Sequence, residues 1–220
     1  MKPSKIIGMA LGLLAVAVVA NQSRGADAPD ASNHVPADYA GKPETGTPQM
    51  IPGTIAAVNY DEAPAGATDV TFSYHGKAVQ TKYRKAADSI GIAGFGNGHV
   101  STAGVAEAPD QVYVGWTQSS EWLKYTVQVA ETGTYIIGAK VSAGSKGATL
   151  TFSFSPDITT GEIEIPTTAG FRPGVEVYHV WEKLDNLKEI TLPAGTYVMT
   201  VKIGKIAGMN LESFFFTKKA

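Results

Sequence analysis

The chain has 220 residues, 44% of them hydrophobic, with 24 glycines, 12 prolines, no cysteine and a net charge of −2. That length suits one domain with a substantial core, and the missing cysteine excludes disulfides, thiolate metal sites and lipid attachment through an N-terminal cysteine. No basic cluster interleaved with aromatics offsets the acidic balance, which excludes a nucleic-acid partner that would need cations against phosphate.

Lys2 and Lys5 precede an apolar run over residues 6–20, and Ala26-Asp27-Ala28 follows. The run is shorter than the ~20 residues of a membrane-spanning helix and fits the apolar segment of a secretory signal with an A-x-A cleavage site. Residues 1–28 are therefore expected to be a signal peptide, and the protein to be secreted, periplasmic or extracellular, with no membrane span after cleavage. Cleavage removes Lys2, Lys5 and Arg24 against Asp27, which takes the net charge from −2 to −4. Residues 29–51 are rich in Pro, Ala, Asp and Thr without an apolar period. They are expected to form a flexible linker, with the globular part over residues 52–220.

Short strands follow in order. Residues 53–60 form a first one and 69–74 a second within a loop-like segment. The glycine-rich stretch 91–98 is expected to be a loop. It is no dinucleotide fingerprint, because no strand-to-helix transition follows it. Residues 112–116 and 122–129 read as two strands around the polar turn 117–121. In the second, Trp122, Lys124 and Thr126 alternate with Leu123, Tyr125 and Val127, the period of a half-buried strand. Trp122 and Tyr125 are expected in the core. Further strands are expected over 134–142, 148–154, 162–165, 178–184, 188–192, 196–203 and 209–217. About ten strands spaced at roughly 8–12 residues, with no amphipathic helix, point to an all-β sandwich or jelly roll.

Catalytic patterns are missing. There is no G-x-S-x-G or H-E-x-x-H, and His34, His75, His99 and His179 lack metal-ligand spacing. Glu162 and Glu164 share one strand face, whereas a glycosidase needs two facing carboxylates ~5–9 Å apart. No enzyme is expected. A sugar site instead pairs flat aromatic rings with hydrogen-bonding amides or carboxylates. Trp116, Tyr178, Trp181, Asn210 and Glu121 form such a set near loops.

The run Val114-Gly115-Trp116 to Trp122-Leu123-Lys124-Tyr125-Thr126-Val127 resembles the "vGy-x-x-sGdW-x-x-Y-x-V" segment of family 6 carbohydrate-binding modules, related to the family 35 type. Pro52-Gly53-Thr54-Ile55 and Asn59-Tyr60-Asp61 are similar to the family's opening, and Tyr83-Arg84 to an internal "YR". Thr132-Gly133-Thr134-Tyr135 and Leu192-Pro193-Ala194-Gly195-Thr196-Tyr197 resemble its "aGtY" turns, and Tyr178-His179-Val180-Trp181 its "gW-x-x-W/Y" segment. Met209-Asn210-Leu211-Glu212-Ser213-Phe214 is similar to its closing strand.

The resemblance spans about residues 52–217. It implies a galactose-binding-like jelly-roll sandwich that binds a poly- or oligosaccharide without catalysis and, here, without an appended catalytic domain. Trp116 and Tyr178 would sandwich a sugar ring, Asn210 would bond its hydroxyls, Trp181 and Glu121 would assist, and Phe171 would extend the cleft. It also implies a structural calcium held by two opening-strand glutamates and a closing-strand acid. Ala56 and Val58 stand at the two glutamate positions and offer no side-chain oxygen, which leaves Glu212 as the one metal candidate. The alternative is a structural or adhesion sandwich with a decayed sugar site. Which sugar binds, and the oligomeric state, do not follow from the sequence.

Overall fold

The structure is a computed structural model that describes residues 32–75, 84, 92–94, 111–144, 146–168, 179–205 and 208–220. The expected signal peptide, and Tyr83, Phe171 and Tyr178, lie outside the described residues.

The strands are β1 (Ser32–Asn33), β2 (Gln49–Ile51), β3 (Gly53–Ala56), β4 (Phe72–Ser73), β5 (Ile92–Gly94), β6 (Val112–Val114) and β7 (Trp122–Val129). They continue as β8 (Gly133–Ala143), β9 (Ala148–Phe154), β10 (Ile158–Thr159), β11 (Ile163–Ile165), β12 (Glu182–Leu192), β13 (Gly195–Ile203) and β14 (Met209–Lys218). One sheet runs β10-β9-β13-β7-β2, with β1, β11 and β4 attached; the other runs β12-β8-β14-β6-β5, with β3 on β14. This is the expected all-β sandwich. Among the described residues no helix is long and apolar enough to cross a membrane.

The alternation read from the sequence builds the interior. Leu123, Tyr125, Val127 and Val129 face inward from β7, and Leu150, Phe152 and Phe154 from β9. Ile137, Ala139 and Val141 meet them from β8, with Phe214 and Phe216 from β14. Phe152 meets Phe214 edge-on at 5.2 Å and Phe216 at 6.0 Å, the geometry that the ring quadrupoles favour. In β14 the register against β8 shifts between Leu211 and Ser213. This bulge makes Glu212 the extra residue, so the inward row passes from Met209 and Leu211 to Phe214 and Phe216.

Three expectations change. The expected flexible linker 29–51 is, over residues 32–51, a strap laid on the first sheet. β1 pairs in parallel with β13 and β2 with β7, His34 stacks on Tyr197 at 4.5 Å, and Ile51 is fully buried. Its composition lacks an apolar period because backbone pairing and a few anchors, not a buried face, hold it. In the glycine-rich stretch, Ile92–Gly94 is a strand antiparallel to β6; ladder bonds are made by the backbone and leave little side-chain signature. Trp122 is half-buried rather than core. It shares the outer face with Lys124, whose ammonium lies 4.8 Å from its ring centroid, while Tyr125 is buried and donates to the Ala57 carbonyl at 2.8 Å.

Candidate functional site

The loop after β6 carries the one exposed Trp, Tyr or Phe among the described residues. Val114 pairs with Leu211 of β14. Three residues later the Thr117 hydroxyl donates to the Met209 carbonyl at 2.6 Å and accepts the Met209 N–H at 3.2 Å. The Gly208 N–H reaches the Thr117 carbonyl at 3.3 Å. From Val114 opposite Leu211 to Thr117 opposite Gly208 both sides span three residues, and Trp116 lies between these two contacts. Its φ of +52° lies in the left-handed region, which costs a non-glycine residue about 1 kcal/mol, and its side chain is 39% exposed. The alternation that would place Trp116 in the row of Val112 and Val114 ends at this turn.

The rest of the loop is tied down. The Tyr74 hydroxyl donates to the Gly115 carbonyl at 2.9 Å. A Cβ on Gly115 would lie 3.1 Å from Asn210 Oδ1 and 3.2 Å from the Tyr113 ring, so glycine there lets β14 bring Asn210 against the loop. Asn210 is buried. Tyr113 alternates with Val112 and Val114 and faces away from the interior. Its ring packs on Trp181 at 4.9 Å, and its hydroxyl lies 3.5 Å from His179 Nδ1. The Trp181 indole N–H is buried without a hydrogen-bond partner among the described residues, an arrangement that a water or a ligand oxygen would satisfy.

Of the five residues predicted for a sugar site, Trp116 and Asn210 therefore come together, separated by Gly115. Trp181 lies beside Asn210's neighbour Tyr113 but turns a ring face to it. Glu121 is spent elsewhere. It is buried, its Oε2 accepts the Gln118 N–H at 2.7 Å, and its Oε1 accepts the His75 N–H. A carboxylate used this way shapes a turn. Tyr178 lies outside the described residues. Sequence reasoning missed Thr117 and Tyr113; only the spacing between loop and β14 exposes Thr117, and no residue pattern announces it.

The donor set does not fit calcium. The Glu212 carboxylate is engaged by the Lys140 ammonium at 2.7 Å and by the Gln111 amide at 2.6 Å. Ala56 lies opposite Ser213 across β3 and β14, and Val58 is buried. Among the described residues no group of three His, Asp or Glu side chains gathers. One acid already neutralised by an ammonium lacks the oxygen count and charge of a calcium site.

A second concavity lies well away from this loop. On the outer face of the first sheet a cavity of about 410 Å³ is walled by Tyr39 and Asp38 of the strap, Asp69, Lys124, Ser155 and Thr200. Trp116 and Asn210 do not line it.

Comparison with solved structures settles the architecture. A β-1,3-glucan-binding family 6 module from Bacillus halodurans superposes with a TM-score of 0.50 at 16% identity, covering 77% of this chain and 98% of that one. The fold is that of a family 6 carbohydrate-binding module. A family 43 arabinoxylan arabinofuranohydrolase from Bacillus subtilis, solved with cellotetraose, matches with a TM-score of 0.50 at 12% identity over 79% of this chain and 28% of the enzyme. A carbohydrate-binding module of Cellvibrio mixtus lichenase 5A, in complex with cellotriose, matches at 19% identity with a TM-score of 0.48, covering 78% of this chain and all of that one. No family sequence model and no curated protein matches the chain. At these identities the module likeness speaks for the fold alone.

Proposed function

We propose that this module-like chain is an exported, non-catalytic carbohydrate-binding protein that stacks a ring of a poly- or oligosaccharide on Trp116, with Asn210 bonding the sugar's hydroxyls and Tyr178 as the facing ring. The carrying observation is the pairing of an exposed, left-handed Trp116 with a buried Asn210 across Gly115. A sugar's C–H face gains dispersion and quadrupole attraction on an indole, and a neighbouring amide fixes its orientation. The fold adds weight, because a family 6 module of this architecture binds β-1,3-glucan and a family 43 enzyme that contains a matching segment was solved with cellotetraose.

The test is a tryptophan-fluorescence titration with cellotetraose, a soluble β-1,3-glucan and xylan, run beside Trp116→Ala. Saturable quenching by any probe, weakened at least ~30-fold in the variant, about 2 kcal/mol, supports the reading. Quenching that survives in Trp116→Ala moves the ligand to the Tyr39–Lys124 cavity. Silence with all three probes favours the alternative, a structural or adhesion sandwich with a decayed sugar site. That alternative draws on the inward use of Glu121 and on the Trp181 ring packed against Tyr113.

A further inference from the structure

We propose that Thr117 is the positioning residue of the loop end, its hydroxyl fixing the spacing between the Trp116 ring and the Asn210 amide. The inference rests on the sugar-stacking reading for its consequence, but not for its geometry. Thr117 follows Trp116 directly, and Met209 directly precedes Asn210. The one hydroxyl donates to the Met209 carbonyl at 2.6 Å and accepts the Met209 N–H at 3.2 Å. It thus pins Thr117 to the Met209 backbone by two bonds, one peptide link from each candidate sugar contact. Thr117 is itself buried, so the pair of bonds is shielded from competing water.

The clamp also bears on Trp116's conformation. Loop and β14 keep one antiparallel register from Val114 opposite Leu211 to Thr117 opposite Gly208, and the Thr117 hydroxyl reaches one residue further along, to Met209. Trp116, with φ of +52°, immediately precedes this anchored residue. Without the hydroxyl, Trp116 can relax to an ordinary extended or helical conformation and swing away from Asn210. A platform fixed before the ligand arrives loses less freedom on binding. Of the other ties of the loop, Tyr74 to the Gly115 carbonyl and Glu121 to the Gln118 N–H act on either side of this point, and the Gly208 N–H to the Thr117 carbonyl joins the backbones one residue before β14.

The experiment uses the full chain labelled with 5-fluorotryptophan. The sequence has three tryptophans, and Trp116→Phe identifies the Trp116 fluorine resonance by its loss. Thr117→Val, nearly isosteric but without the hydroxyl, is expected to shift and broaden the Trp116 resonance while those of Trp122 and Trp181 stay in place. Thr117→Ser is expected to restore it. With whichever of the three glycan probes the native chain binds, Thr117→Val should weaken affinity about tenfold and Thr117→Ser should recover it. If Thr117→Val melts early, Thr117→Ala is read in the same way.

An unchanged Trp116 resonance in the Val and Ala substitutions overturns the proposal, whatever the glycans do. Native chain that binds, Trp116→Ala that does not, and Thr117→Val that binds as the native chain does would overturn the positioning role and leave the sugar reading standing. A native chain that binds no probe, together with a Trp116 resonance that moves in Thr117→Val and returns in Thr117→Ser, sinks the sugar reading and upholds the clamp.

Discussion

At the strap, Tyr39 lies against the first sheet with its hydroxyl donating to Asp61 at 2.8 Å. At the loop end, the residues on either side of Trp116 are held, Gly115 by its carbonyl and Thr117 by its hydroxyl, and Trp116 itself is 39% exposed. Tyr39 belongs to a closed polar network. Asp61 also accepts the Thr126 N–H at 2.9 Å and the Thr126 hydroxyl at 2.6 Å. Arg84 donates to the Val58 and Tyr60 carbonyls at 2.9 and 2.6 Å, lies 3.6 Å from the Tyr60 ring centroid, and pairs with Glu44 of the strap at 3.3 Å. An aromatic tied by its polar tip is committed to the fold. One held through its neighbours keeps its faces for something else.

The contrast breaks most visibly at Arg84. Arg84→Met should cost about 3–5 kcal/mol, because it leaves Glu44 without its buried partner and two carbonyls without donors. Urea melts check the magnitude, and limited proteolysis checks that cleavage concentrates in residues 32–48. If the two regions are independent, the Trp116 fluorine resonance stays where it was in the protein that remains folded. A matching shift there would mean that the strap and the loop end form one unit.

Tyr39→Phe is a milder probe of the same anchor. Losing a hydroxyl bonded to a carboxylate should cost about 1.5 kcal/mol by urea melt, with glycan affinity at Trp116 unchanged. A drop in affinity with little loss of stability would instead put the ligand on the strap face, beside Lys124.

The smallest expected effect is on pH dependence. Burial raises the Asp61 carboxyl above its ordinary value, outweighing the Thr126 and Tyr39 hydrogen bonds and the nearby Arg84, which favour the charge. A raised folded-state pKa contributes stability that is fully present below the unfolded value and is lost as pH rises through the folded one. Urea melts of the native chain and of Asp61→Asn, from about pH 3 to 7, should therefore differ by a contribution that falls as pH climbs past the ordinary carboxylate range. The opposite slope in that difference would mean that Tyr39, Thr126 and Arg84 hold the charge better than burial opposes it, and that the strap tightens on ionisation.

The inward rows of β7 and β9 were legible because alternation is a local property: one buried face dictates every second residue. The same rule carried the sandwich class, whereas the candidates Trp116 and Asn210 came from the family-like motifs around them. It failed where backbone rather than side-chain faces made the contact, as in the strap and at Ile92–Gly94, where one extra residue changed the parity, at Glu212, and where a left-handed turn ended the alternation, at Trp116. Glu121 shows a different limit. A carboxylate in a polar turn looks alike whether it awaits a ligand or caps the turn's own N–H groups, and only the two accepted bonds separate the cases.

By itself, then, the sequence determined the strand periodicity, the identity of the interior rows and the absence of side-chain oxygens at residues 56 and 58, all of which depend on residue type and spacing of two. Tertiary structure alone decided that Trp116 is turned out, that Thr117 bridges to Met209 across 92 positions of chain, and that Glu212 spends its charge on Lys140. Those outcomes depend on which two strands meet and in what register, and a pattern with a period of two carries no record of its partner.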